Sequence, residues 1–160
     1  MQDMLVRLLD LPDSTKDEKY LWETENIIIK RPIAPEMSIV TNWVTSNFSV
    51  NWGDEVSVAF ASLPVNCYIA QREQSILGFA CFESTSKNFF GPTGVLESER
   101  GKKIGKILLI KSLNALKELG YAYAIIGGVG PAEYYEKVVG AKVIEESEKS
   151  IYQNLLKHPK

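Results

Sequence analysis

Histidine is almost missing from this chain. The single one among 160 residues is His158, next to Pro159 in what reads as a frayed tail. A Ser-His-Asp or Cys-His catalytic unit needs a positioned imidazole, and a His-containing zinc site needs one as a ligand. Neither is expected, no metal is assigned, and any acid–base chemistry must come from Tyr, Glu, Asp, Lys, Cys or water. Cysteine is scarce as well. Cys67 and Cys81 stand at no metal or redox spacing and read as free, buried thiols of a reducing compartment. A basic excess is lacking: 18 Lys and Arg against 20 Asp and Glu leave a net charge of −2. Nucleic acid normally demands a broad basic footprint, so it is not an expected partner. No apolar run approaches the ~18 residues of a membrane span. The opening Met1-Gln2-Asp3-Met4 has no basic segment of the kind that starts a signal peptide, which makes the cytoplasm the default location. Repeats, low-complexity tracts and internal linkers are absent too, and the length suits one domain over residues 1–160.

What is present is a succession of short β-type runs and helical periods. Met4 to Leu9 reads as a strand, with a short helix as the alternative. Thr15 to Glu25 is helical in pattern. Asn26 to Arg31 holds the β-branched run Ile27-Ile28-Ile29, stopped by Pro32, and predicts a strand. Pro35 to Phe48 carries Met37, Val40, Val44 and Phe48 at helical spacing. Asn51-Trp52-Gly53 is expected to break that helix before a second one over Asp54 to Ser62. Trp43, Phe48, Trp52 and Phe60 are either core or a wall of a pocket. Asn66 to Arg72 and Ile76 to Glu83 form a hairpin around Glu73-Gln74-Ser75. Phe89 to Glu97 is a strand interrupted at Gly91-Pro92 and Gly94, where pairing should fail and free backbone groups for a ligand. A long amphipathic helix follows over Lys102 to Leu119. It places Ile104, Leu108, Leu109, Ala115, Leu116 and Leu119 on one face, with Gly120 just past its end. Tyr121 to Ile126 reads as a buried strand, Gly127-Gly128-Val129-Gly130 as a loop, and Ala132 to Val139 as a short helix between Pro131 and Gly140. Ala141 to Ile144 and Ile151 to Leu155 complete the expected strands.

The junction from Gly94 to Leu109 organises the rest. A strand, a Gly-containing turn and a helix start make an anion site. The first amides of a helix have no intrahelical partners, and the helix dipole adds positive charge there. Gly101 and Gly105 let a ligand approach the backbone, and Arg100, Lys102, Lys103 and Lys106 add cations. The spacing is neither the dinucleotide fingerprint nor the P-loop.

Arg100-Gly101-Lys102-Lys103-Ile104-Gly105 resembles the acyl-CoA motif of the GNAT superfamily of N-acetyltransferases, Arg/Gln-x-x-Gly-x-Gly/Ala. Lys103 stands where that family usually has Gly. Glu133-Tyr134-Tyr135-Glu136-Lys137-Val138-Val139-Gly140-Ala141 resembles its Phe-Tyr-x-Lys-x-Gly-Phe, with one extra residue before the Gly and Ala141 in place of Phe. The family's Asn before this helix is missing, and Gly128 stands near its place. The order strand, turn, helix, strand, short helix, strand covers about the last 70 residues. The resemblance implies an α/β fold: a single domain with a mixed, mostly antiparallel, twisted sheet flanked by helices. Residues 65–160 would bind acyl-CoA and residues 1–64 would shape the acceptor side. It implies acetyl transfer from acetyl-CoA to a small-molecule or peptide amine by direct attack in a ternary complex. The cofactor-binding set would be Val95, Leu96, Glu97, Arg100, Gly101, Lys102, Lys103, Ile104, Gly105 and Lys106. Tyr135 would protonate the departing thiolate, a task that suits a neutral phenol. Glu83 or Glu97 would serve as base, with Tyr68 and Cys81 as weaker choices. No sequence neighbour of Cys67 or Cys81 would lower a thiol pKa for an acyl-enzyme route. A homodimer is compatible with the resemblance, and a non-catalytic acyl-CoA sensor on the same fold is the alternative function.

Overall fold

The computed structural model describes residues 1–160. Seven strands form one sheet: β1 (Met4–Arg7), β2 (Ile27–Lys30), β3 (Cys67–Arg72), β4 (Ser75–Phe82), β5 (Phe89–Val95), β6 (Tyr123–Ile126) and β7 (Lys142–Val143). Their spatial order is β2-β3-β4-β5-β6-β1-β7. Every pairing is antiparallel except β5 with β6. Parallel neighbours need a long crossover, and α4 (Ile104–Glu118) provides it. The other helices are α1 (Thr15–Glu25), α2 (Met37–Asn47), α3 (Val50–Ala59) and α5 (Ala132–Val139). This is a mixed, mostly antiparallel sheet flanked by helices. No helix is long and apolar enough to cross a membrane.

Alternation along the strands builds a separate core on each face of the sheet. One face carries Ala70, Ala80 and Phe82 and packs against Leu21 of α1 and the apolar side chains of α4. The other carries Cys67, Ile69, Phe79 and Cys81 and packs against Val40 and Val44 of α2 and Val56 and Ala59 of α3. Cys67 and Cys81 face each other across the β3–β4 pair as fully buried free thiols.

Several expectations are corrected. Asn51-Trp52-Gly53 does not break a helix; it lies in the first turn and a half of α3. The break falls earlier, because Ser49 caps α3 by accepting the Trp52 N–H at 3.2 Å. Gly53 is there for close packing: a Cβ would sit 2.0 Å from the Thr45 hydroxyl of α2. The long helix begins at Ile104 rather than Lys102, with Lys103 in the left-handed region at φ +70°. Leu119 is 57% exposed, while Ile107, Ile110 and Leu113 join the buried face, so α4 is wrapped more completely than one stripe would require. Tyr121 and Ala122 precede β6, and Tyr123 is exposed. Ile151 to Leu155 is a set of turns with Ile151 and Leu155 exposed, so the expected strand has no buried face to hold it.

Candidate active site

β5 is bonded unequally on its two sides. Toward β6 it pairs only at Phe89–Ile125 and Phe90–Ile126. Gly91 then takes φ +114° and Pro92 offers no N–H, so that ladder cannot continue. Toward β4 the pairing runs on through Thr93–Ala80, Gly94–Phe79 and Val95–Gly78, with a register shift near the proline. The expected local disruption of pairing therefore falls mainly on the β6 side. The Leu96 N–H donates to the Leu77 carbonyl at 2.9 Å. Alternate residues of a strand turn their backbone groups to opposite sides, so Gly94 and Leu96 face β4 while Thr93 and Val95 face the opening. Arg100 Nε reaches the Val95 carbonyl from that open side at 3.3 Å.

A cavity of about 590 Å³ fills the opening. Thr93, Gly94 and Val95 of β5 form one wall, and Arg100, Gly101, Lys103, Ile104, Gly105 and Lys106 form the end at the start of α4. Pro131, Tyr134 and Tyr135 close it from α5. Gly101 holds φ +86°, and Lys103 matches it with its own positive φ, in a turn of the kind that gathers backbone amides into an anion-binding concavity beside a helix start. A Cβ on Gly105 would meet only Val95, at 3.7 Å, so the fold does not need glycine there; the space belongs to the cavity. The cations are unequally committed. Lys102 bonds Glu99 and Glu25 at 2.6 and 3.3 Å, and Arg72 shares the same two carboxylates. The Arg72 hydrogen bond, then that of Lys102, holds the Glu99 carboxyl below its ordinary value. Lys103 and Lys106 share Asp17. Arg100 has no carboxylate partner.

Of the residues expected to bind the donor, Val95, Arg100, Gly101, Lys103, Ile104, Gly105 and Lys106 come together here, with Tyr135. Leu96, Glu97 and Lys102 do not line the cavity. Glu83 lies at the far end of β4 with its carboxylate accepting the Asn88 N–H at 2.7 Å. Glu97 is exposed in a short 3-10 turn. Tyr68 is stacked under the Arg31 guanidinium, 5.2 Å from its ring centre. Burial pushes the Cys81 thiol well above its ordinary value. None of these four borders the opening.

Tyr135 does. It is buried, edge-on to the Phe90 ring at 6.5 Å and to Tyr134 at 5.2 Å. Burial, and after it the neighbouring Tyr134, pushes its phenol up to about 12, so at pH 7 it is neutral and holds a proton to donate. Behind it lies a second cavity of about 570 Å³, which shares Phe90, Thr93, Pro131 and Tyr135 with the first. Its other walls include Trp52 and Glu55 of α3, Thr85, the Gly127–Gly130 loop and Tyr152. Glu55 is the functional candidate that sequence reasoning missed. Burial raises its carboxyl above the ordinary value, partly offset by the hydrogen bond from the Thr85 hydroxyl. The available signal was its spacing from Trp52: residues three apart share a helix face.

The model of the acetyltransferase (GNAT) family matches residues 37–141. The chain belongs to the GNAT family. The match runs from the start of α2 past α5, so it includes both cavities' walls except the two ends of the chain. A search of curated proteins finds no match. Among solved structures, the GNAT fold recurs in the glucosamine N-acetyltransferase region of a fungal multi-domain β-N-acetylglucosaminidase, with TM-score 0.71, 17% identity, and 89% of this chain on 19% of that one. The GCN5-related N-acetyltransferase of Sphaerobacter thermophilus superposes with TM-score 0.68 and 16% identity, over 89% of this chain and 48% of its own. A GNAT acetyltransferase of Brucella melitensis in complex with acetyl-CoA gives TM-score 0.53 and 18% identity, over 74% and 86%. This GNAT chain thus spans less than half the length of the first two, and at these identities the likeness is one of fold.

Proposed function

We propose that this GNAT protein transfers the acetyl group of acetyl-CoA to an amine, by direct attack with both substrates bound. The observation that carries this reading is the position of Tyr135, a neutral buried phenol in the wall common to two cavities. The first cavity suits the donor. Its helix-start amides and the unpaired Arg100 fit a pyrophosphate, and the open backbone of Thr93 and Val95 fits an extended chain of amides such as pantetheine. Residues 65–160 then hold the donor, while α2 and α3 from the 1–64 half shape the acceptor side. Acetyl-CoA supplies the activated acyl carbon and a thiolate leaving group. Tyr135 gives its proton to that sulfur as negative charge develops. Its raised phenol pKa keeps the proton available across the physiological range.

The test is thiol release from acetyl-CoA in the presence of primary amines. Tyr135→Phe keeps the ring and removes the hydroxyl. General acid catalysis is typically worth 10²–10⁴-fold and water can partly substitute, so kcat should fall at least ~10-fold with acetyl-CoA affinity retained. Tyr134→Phe, at a half-exposed ring in the same wall, should change kcat much less. Equal small effects would make Tyr135 structural. Tight acetyl-CoA binding without thiol release to any amine would favour the sensor instead.

A further inference from the structure

We propose that the second cavity is the acceptor site, and that Glu55 holds and then deprotonates the ammonium group of an amine carrying no carboxylate or phosphate. This rests on the acetyl-transfer reading for its chemistry, but its binding claim stands on the cavity alone. The charged side chains of that cavity are Glu55 and, at its mouth, Glu148; no Lys, Arg or His lines it. Glu148 is exposed and already accepts a hydrogen bond from Gln2 Nε2 at 2.8 Å. Glu55 sits deeper, in the half-buried wall of α3. The Thr85 hydroxyl donates to its Oε1, and no cationic side chain pairs with it. The other titratable groups facing it are Cys81, on the strand beneath, and Tyr152, from the turns after β7. Both are neutral at pH 7 and both are shifted up, by burial first.

A carboxylate has room for about four hydrogen bonds, and this one uses a single hydroxyl. A half-buried carboxylate with no counter-ion favours whatever brings positive charge and N–H donors. An alkylammonium brings both. Trp52 and Tyr152 line the same space and offer aromatic faces and edges to a cation or to an apolar chain. An amino acid or a phosphorylated amine would place its anion among Glu55 and Glu148 with no Lys, Arg or His side chain to receive it, a like-charge arrangement that binding sites use to reject wrong partners.

The proton balance closes with residues of this chain. One ammonium proton passes to the Glu55 carboxylate and on to solvent. The freed nitrogen pair forms the N–C bond as the C–S bond breaks and its electron pair leaves on sulfur. Tyr135 gives its proton to that sulfur and regains one from the second nitrogen proton, lost as the amide forms. The sum is an ammonium plus a thioester giving an amide, a thiol and one proton.

Two matched pairs test this by calorimetry on the full chain with CoA present: 1,5-diaminopentane against lysine, and phenethylamine against phenylalanine. Members of each pair differ only by a carboxylate. The diamine and phenethylamine should bind at least ~10-fold tighter than their acidic partners, the scale of one charge-assisted contact. Glu55→Gln keeps the Thr85 bond and the shape, and should weaken both amines by a similar ~10-fold while leaving acetyl-CoA affinity unchanged. Equal binding within either pair, full affinity in Glu55→Gln, or no binding of either amine overturns the proposal. The matched pairs need only wild type, so a variant that fails to fold does not shield it. Amine binding that obeys these rules without thiol release would remove the acetyl-transfer reading and leave the amine site standing.

Discussion

Lys103 shows how a residue can depart from a motif while its backbone does not. The family motif has Gly at this place, and Lys103 adopts the conformation that glycine would, with φ +70°. A left-handed L-residue costs roughly 1–2 kcal/mol. Its side chain turns away from the cavity end to Asp17 at 3.3 Å, but it is 60% exposed, and such exposed pairs contribute little. Lys103→Gly should therefore stabilise the protein by about 0.5–1 kcal/mol after the extra chain entropy of glycine is subtracted. At this chain length that is a rise in Tm of about 1–4 °C by calorimetric scan. Acetyl-CoA affinity should persist, because the amide remains. A lower Tm would mean that the Asp17 pair, rather than the backbone, holds the turn. The same residue explains why the helix start was misplaced by two positions in the sequence reading. The periodicity extends back to Lys102, and nothing in the residue types announces that Lys103 reverses the chain.

Among the elements, α4 carries the end of the first cavity, where the donor's pyrophosphate is proposed to lie. Its second residue, Gly105, has space above it that belongs to the cavity rather than to packing. Gly105→Glu should leave the fold intact by circular dichroism, since a carboxylate in the first turn suits the helix dipole. It should weaken acetyl-CoA binding at least ~100-fold, because it places bulk and negative charge where phosphate would lie, a cost of several kcal/mol. Unchanged affinity by calorimetry would move the donor elsewhere. Where an element carries its own signal, it was legible. α1 over Thr15–Glu25 and α5 between Pro131 and Gly140 fall where pattern and caps put them. The start of α3 was not, although a helix over Asp54 to Ser62 was expected, because Gly53 reads as a breaker when taken alone. Its meaning depends on Thr45 of a different helix, and the Ser49 cap that marks the true start lies four residues earlier. The strand expected at Ile151 to Leu155 failed for another reason: Ile151 and Leu155 stay exposed in turns and pack no face against the core.

At the scale of the whole molecule, the cavity proposed for the donor was readable and the one proposed for the acceptor was not. The donor residues lie almost entirely between Thr93 and Tyr135 and follow one another along a strand, a turn and a helix. The acceptor wall gathers Glu55 from α3, Thr85 from the turn after β4 and Tyr152 from beyond β7. No local pattern links these three. Even His158, expected to trail free, ends 3.1 Å from Asn51 at the start of α3. The one-sided bonding of β5 has a further consequence, and amide exchange can read it. Gly94 and Leu96 should exchange slowly with deuterium and Thr93 and Val95 quickly, so that one strand shows protection on every second residue. Acetyl-CoA should slow the fast pair and leave the slow pair as it was. Uniform protection in the free protein would mean that the cleft is shut in solution. Most sheets expose their unpaired edges at the border, where any stray chain can add to them. Here an unpaired edge lies in the interior of the sheet, between β5 and β6 and under α4 and α5. A slender ligand can line up along it as a further strand would, with α4 and α5 walling the cleft around it.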